Sequence, residues 1–500
     1  MGLTKETLEM LKGLGSEDFM MLRKAGWLTT TGLVNYDLEP IARMIFPNPT
    51  PFRNTLPRKP GNGDTAHRWK AIIALPDDTG DYAFTSEGHG NETSAPTVIN
   101  DFALYATIMR ETSVSMDAEE AATSFDDARR KSSIILLQQV FRDEEKSIVG
   151  SNYNWPLGRP VTPTVTLSTG GGMGSIELSV IVVPLTMEGL KNSSVTAVAG
   201  VPQQVSRTNR DGSTDRFNAG SGRKSVAGTL SISGGSTNSA DVSTTPVAGA
   251  AAYAWYWGTA GNETLGAITS IAKYKILTTA TGTQVASDLA DADYSYNDGT
   301  TQGSTIPGFN GLVYQAAKWA TNNAYYAALA NGSTLTSDGE GGIVEFSNLF
   351  KDRYDNYRLG PSDIWMSSDV ALSFRNLCVA NGSSTPVPLM RINVENGGVA
   401  NIIAGANLPQ LFNMYTGETI KTHVHPYLPA GMALATTEVL PYTIDEEPTP
   451  LAIRYAAPTG NYRMIEWPLR TTAYESAVRV REVLENKFPP ALGLIQNISV

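Results

Sequence analysis

Residues 117–150, DAEEAATSFDDARRKSSIILLQQVFRDEEKSIVG, decide the fold because they read as one long helix. Asp117 with Glu120 has capping-box spacing, in which two side chains satisfy orphan amides of a first turn. Glu119 and Glu120 also fall where the helix dipole favours anions. Phe125, Ala128 and Ile135 lie on one face, while Ile134, Leu137, Phe141 and Ile148 recur every three or four residues on a wider apolar side. Gly150 is a natural stop. About 32 residues at 1.5 Å each make a rod of roughly 48 Å. Such a rod needs a sheet along one side, and the basic cluster Arg129, Arg130 and Lys131 sits near its middle.

The whole chain has 500 residues, enough for two to four domains, of which 41% are hydrophobic and 17% charged, so most of it should fold. Forty-six glycines and 28 prolines point to turns and strands more than to bundled helices. The net charge of −11 argues against a tight grip on nucleic-acid phosphates. Cys378 stands alone, which rules out an intrachain disulfide and points to a reducing compartment. Residues 1–27 lack signal-peptide order and no apolar run is long enough for a bilayer, so the chain is expected to stay in the cytoplasm where it is made.

From the start, KETLEMLKGL and EDFMMLRKA read as short helices, followed by FPNPTPFRNTLPRKPGNG with five prolines from Pro47 to Pro60. Prolines at that density forbid a regular helix or central strand. An extended arm is expected instead, anchored on another surface by Phe46, Phe52 and Leu56. Residues 67–75 and 101–116 read as strands joined by about 25 polar residues, a hairpin too long to fold onto a small core. It should project and be covered by a neighbouring subunit. No Lys or Arg occurs from Ala71 to Met109, whereas Asp77, Asp78, Asp81, Glu87 and Glu92 do, so its tip is acidic.

Residues 156–305 change style and are rich in Gly, Ser, Thr and Val, with strands expected at 161–167, 176–183, 226–232, 250–257 and 267–277. In AYAWYWG, Tyr253, Trp255 and Trp257 point to one face and Tyr256 to the other, the pattern of a small β-sandwich. Mixed α+β style resumes beyond, with GGIVEFSNLFKDRYDNY and SDIWMSSDVALSFRNLCV each read as strand then helix, and long closing strands that return beside the first ones.

Chemistry is sparse. No GxxxxGK[ST], GxSxG, HExxH or CxxC occurs, and 220–225 (GSGRKS) has the wrong spacing for a phosphate loop. His423 and His425 share a strand face and could begin a metal site, but Glu418 is the only nearby carboxylate in sequence, so a hydrogen-bonded structural pair is favoured. Asp445, Glu446 and Glu447 read as a solvated turn rather than an acid–base pair. Tyr253, Trp255 and Trp257 read as sandwich core rather than a sugar platform. No nucleophile, base and oxyanion hole assemble, so the chain reads as non-catalytic, without cofactor or metal.

The order of parts resembles the major capsid proteins of tailed phages, which have the HK97-type fold. The echoes are FRDEEKSIVGSN closing the helix, FNGLVYQ at 309–315, LTSDGEGGI at 335–343, PSDIWMSSDVALSF at 361–374 and HPYLPAGMALAT at 425–436. The resemblance covers nearly all of 35–155 and 306–500. It implies an α+β HK97-type capsid fold: an N-terminal arm (1–62), an E-loop hairpin (63–112) and a P-domain with its spine helix (113–155). An inserted all-β, immunoglobulin- or fibronectin-like sandwich (156–305), an A-domain (306–424) and return strands of both domains (425–500) complete it. It implies a shell of hexamers and pentamers enclosing DNA without sequence-specific binding, in a virion head assembled in the host cytoplasm, with no membrane. A separate scaffolding protein is expected because little chain precedes the arm, together with a portal and a decoration protein. The hairpin has Lys70 only at its base, so non-covalent joints are expected. Contacts between subunits are placed at Phe52, Arg53, Trp69, Asp77, Asp78, Tyr82, Phe84, Arg129, Arg130 and Lys131, with the acidic tip meeting the basic cluster of an adjacent copy. The rival readings are an encapsulin-like compartment and a carbohydrate-binding adhesin built on the sandwich.

Overall fold

The structure, a computed structural model, describes residues 50–76, 84, 86–89, 95–122, 127–197, 199–235, 237–299, 304, 306–338, 342–380, 411–442, 448–457, 462–468 and 472–499. The two short N-terminal helices, Phe46, Asp77, Asp78, Tyr82, Phe125 and the acids 445–447 therefore lie outside the described residues. Contacts divide the chain into two compact units, one drawn from 109–140 and 463–479, the other from 50–108, 141–462 and 480–500.

In the first unit the strand Ala106–Ser115 passes directly into the helix Met116–Ala122. Ser115 Oγ accepts the Ala118 N–H at 3.2 Å, so Ser115 rather than Asp117 caps this helix. The strand runs to the last residue before the first turn and leaves no room for a cap further along. The expected single rod appears as two described helices, Met116–Ala122 and Ala128–Gly150. The second has 23 residues, about 35 Å at 1.5 Å each. Ile134 and Ile135 are 44% and 48% exposed, against the expected apolar face. The buried stripe is instead Leu136, Val140, Glu144 and Ile148, one every fourth residue, with an acid in an apolar position. The strand Arg463–Glu466 pairs antiparallel with residues 476–479 of the long strand Ala473–Asn486, which Ala106–Ser115 also joins.

In the second unit, Arg58–Pro60 lies parallel to Leu451–Tyr455, which runs antiparallel to residues 482–486. The strand expected over 101–116 is two strands, Thr97–Leu104 and Ala106–Ser115. They break at Tyr105, whose ring is buried and whose N–H turns to Thr65 O at 3.2 Å. Thr97–Leu104 pairs with Ala66–Ala74 as a ribbon of two strands, with Trp69, Ala71 and Ala103 on its inner face. Its outer face leaves Val98 43% and Phe102 49% exposed, and Phe84 beyond it is 93% exposed.

A six-stranded mixed sheet runs Tyr325–Ala328, Leu492–Gln496, Ala433–Thr436, Asp363–Met366, Glu418–Val424, Leu411–Asn413. The helices Val344–Tyr357 and Ser368–Ala380 bury Phe346, Leu349, Phe350, Val370 and Phe374 against it. Before the first of these helices Ile343 makes only an isolated bridge to Ser337, so the expected strand there is absent.

Residues 164–276 form two antiparallel sheets, Lys273–Ile276, Asn238–Ser243, Thr164–Met173 and Thr264–Thr269, Ala252–Gly258, Ile176–Leu185, Gly228–Ile232. Side chains from both meet in one core that holds Tyr253, Trp255 and Trp257. The alternation in AYAWYWG is therefore real, with Tyr256, Ala252 and Ala254 in a separate buried cluster on the reverse face. Tyr314, from the helix Leu312–Lys318, completes the first core.

Candidate functional site

The densest chemistry lies beneath the proline-rich leader, at the C-terminal part of the long helix. Pro51 opens a short helix, Pro51–Thr55, as the first-turn position allows. Its N-cap Thr50 supplies no side-chain bond. Glu145 takes that part from another element: Oε1 accepts the Phe52 N–H at 3.0 Å and Oε2 the Arg53 N–H at 2.8 Å. A buried carboxylate thus meets orphan amides and the positive end of the helix dipole together. His425 Nε2 donates to the same Oε1 at 2.7 Å, and its Nδ1 accepts the Tyr427 N–H at 3.2 Å. Phe52 is buried between them, its ring 4.5 Å from Trp365 and 5.0 Å from His425.

Glu144, the next residue, collects the leader's cations. Arg53 Nε donates to its Oε2 at 3.0 Å, and Arg58 and the Tyr462 hydroxyl also bond it. Arg58 reaches the Tyr455 hydroxyl as well, and the Arg53 guanidinium lies 3.6 Å over the Phe141 ring. Burial lowers the Arg58 pKa, but the charge of Glu144 together with Tyr462 and the hydrogen bonds to Glu144 and Tyr455 outweighs it and holds the guanidinium more firmly protonated than usual. Burial pushes the Tyr462 phenol up, with Glu144 adding to the effect. Glu482 completes the cluster, fully buried, with Arg58 Nη1 3.8 Å away. The leader leaves through Gly61, where a Cβ would stand 2.2 Å from Tyr455 O and 2.5 Å from the Tyr105 hydroxyl.

A second pairing holds the base of the ribbon. Trp69 Nε1 donates to Asn486 O at 2.8 Å, and His67 stacks on Trp69 at 5.4 Å. Glu485 lies 2.7 Å from Arg454 Nε and 3.3 Å from His67 Nε2. Burial alone would raise the Glu485 pKa, yet these two partners hold it below the usual carboxylate range.

Phe52, Arg53 and Trp69, placed between subunits by sequence, are thus engaged inside this chain, because the leader past Thr50 has a seat on its own body. Arg129 lies 4.2 Å over the Tyr474 ring and 3.7 Å from Glu119, Lys131 also has a partner within the chain, and Arg130 is exposed. His423 and His425 do not converge. His423 pairs with Asp363 at 2.8 Å and stacks on Trp365, while His425 turns to Glu145. No metal-ligating cluster occurs among the described residues. Tyr253, Trp255 and Trp257 are buried, which removes the sugar platform an adhesin would use.

Sequence reasoning missed Glu144, Glu145 and Glu482. The signal was present at Glu144, a carboxylate at the four-residue recurrence that holds Leu136, Val140 and Ile148. An acid in an apolar stripe needs a buried partner.

No protein-family model matches the chain and no curated protein matches it. Among solved structures it is similar to the capsid of an empty GTA particle, at 8% identity and TM-score 0.41, covering 94% of this chain and 97% of that one. The cyanophage A-1(L) capsid aligns at 12% identity and TM-score 0.39, covering 95% and 99%. The SrpI encapsulin of Synechococcus elongatus aligns at 8% identity and TM-score 0.38, covering 94% and 95%. Identities this low leave function to be argued from the chain itself.

Proposed function

We propose that this chain is the major capsid protein of a tailed phage, copies of which tile an icosahedral head shell around double-stranded DNA. The observation that carries the reading is the ribbon Ala66–Ala74 with Thr97–Leu104. It is a sheet of two strands whose outer face leaves Val98 and Phe102 about half exposed. Its inner face is seated on the body, and the apolar side chains left half exposed on the outer face gain by burial against a neighbour. Repetition of that contact around closed symmetry leaves no ribbon uncovered.

The acidic residues 77–92 supply the polar half of the joint and meet basic surface on the adjacent copy, for which exposed Arg130 is the best-placed residue of the cluster 129–131. The function is mechanical and the chain is not an enzyme. A scaffolding protein and a portal are its expected partners, and the shell assembles in the host cytoplasm. Sizing the purified protein and imaging it by electron microscopy tests the reading. Closed megadalton particles that hold DNA are expected. Particles that hold protein cargo instead make it a compartment shell, and a stable monomer refutes both.

A further inference from the structure

Glu144 and Glu482 are both fully buried, and they are treated very differently. Glu144 receives Arg53, Arg58 and the Tyr462 hydroxyl. Neither oxygen of Glu482 meets a donor among the described residues, and its nearest cation, Arg58 Nη1, stands beyond hydrogen-bond range at 3.8 Å. Charge counting explains the difference. Arg53 and Arg58 bring two positive charges, and Glu144 and Glu145 bring two negative ones. His425 is neutral, since its Nδ1 accepts the Tyr427 N–H and its single ring proton faces Glu145. The buried set is therefore neutral only when Glu482 is an acid. As an acid it has a proton to give, and Glu144 is the acceptor beside it. As an anion it is a second carboxylate against the first, with no donor among the described residues.

We propose that Glu144 and Glu482 form a proton-gated latch on the leader: protonated Glu482 bridges to Glu144 and keeps residues 50–60 seated, and its deprotonation releases them. The groups facing the pair are Arg53 and Arg58 from the leader, Glu145 from the helix, Tyr455 from its strand, Tyr462, and His425 on the far side of Glu145. Burial first, and the charge of Glu144 second, push the Glu482 carboxyl well above the usual range, with Arg58 and Arg53 offsetting only part. Tyr455 and Tyr462 are pushed up by burial and stay neutral as Glu482 titrates. Because the folded value lies above the unfolded one, the stabilisation is complete below the unfolded carboxylate range, near pH 4.3. It is lost as pH rises through the folded value. Alkali opens the latch and acid closes it.

Hydrogen exchange at the Phe52 and Arg53 amides of the full chain, expressed as protection factors from about pH 5 to 9, tests this. In the wild type the opening constant should rise by up to about tenfold per pH unit from the acid end of that window and level off once pH passes the folded value. Glu482→Gln, whose amide donates to Glu144 at every pH, should give a flat profile. A flat wild-type profile, or a slope that Glu482→Gln retains, overturns the proposal. Should Glu482→Gln fail to fold, infrared spectroscopy of the wild type decides. A protonated-carboxyl band that fades in step with amide protection supports the latch, and no such band at neutral pH overturns it. Both measurements read the single chain, so they stand apart from the shell reading.

Discussion

Replacing Glu145 by Gln removes the leader's seat with almost no change of shape. The carboxylate serves three donors, Phe52 N at 3.0 Å, Arg53 N at 2.8 Å and His425 Nε2 at 2.7 Å. A glutamine has one oxygen, so its NH2 must face at least one of them, leaving a buried donor unpaired at about 1–3 kcal/mol. The bonds that survive fall from charged to neutral strength, about 1 kcal/mol each. Loss of the anion at the helix N-terminus adds roughly 0.5–1 kcal/mol. The sum is about 3.5–6 kcal/mol. The opening constant of residues 50–60 should then rise by roughly two and a half to four orders of magnitude. Urea unfolding, with hydrogen exchange at Phe52 and Arg53, measures both the global and the local effect. A change below about 1 kcal/mol with Phe52 still protected would refute the claim that this carboxylate seats the leader.

Gly61→Ala should unseat the same stretch from its other end, at about 1–3 kcal/mol, since the new Cβ collides with Tyr455 O; a melting curve unchanged from wild type counts against it. Trp255→Ala should cost about 3–5 kcal/mol in the sandwich core, where its Nε1 also bonds Thr269 Oγ1 at 2.8 Å, and calorimetry reads the loss. Acid should loosen the ribbon's base: the Glu485 pKa is depressed, so its contribution is present above the unfolded carboxylate range and lost as pH falls through the folded value. Glu485→Gln should remove that limb of the pH–stability curve. Asp77→Lys with Asp78→Lys should impair particle formation, and unchanged particles under the electron microscope would show that the acidic tip makes no joint.

Much of the layout was readable because it rests on short-range pattern. The two-residue alternation of AYAWYWG separated two buried faces correctly, and the first ribbon strand appeared within one residue of its expected ends, whereas the stretch 101–116 divided at Tyr105. What failed was whatever depends on distant partners. Glu144 and Arg58 are 86 positions apart, and Glu145 and His425 are 280 apart, so no local window shows that the acids are buried. The helix face was misassigned for the same reason, since counting apolar residues favoured Ile134 and Ile135 over a stripe that includes Glu144. The reading of 156–305 as a separable insertion also meets a condition. Gln496 bonds Val247 O at 2.7 Å and the Gly249 N–H at 3.0 Å, and Asn497 accepts the Ala272 N–H at 2.6 Å. Excision of 160–300 leaves these polar groups and Tyr314 uncovered, so the deletion should fold only with those positions replaced.

The strand Leu492–Gln496 sits inside the six-stranded sheet, between Tyr325–Ala328 and Ala433–Thr436. On the ribosome, the first of those strands emerges well before its partner exists. At roughly 5–20 residues per second the wait is about ten to thirty seconds. Through that interval the nascent chain carries open strand edges, which makes it a client for chaperones and a hazard when many copies are translated side by side.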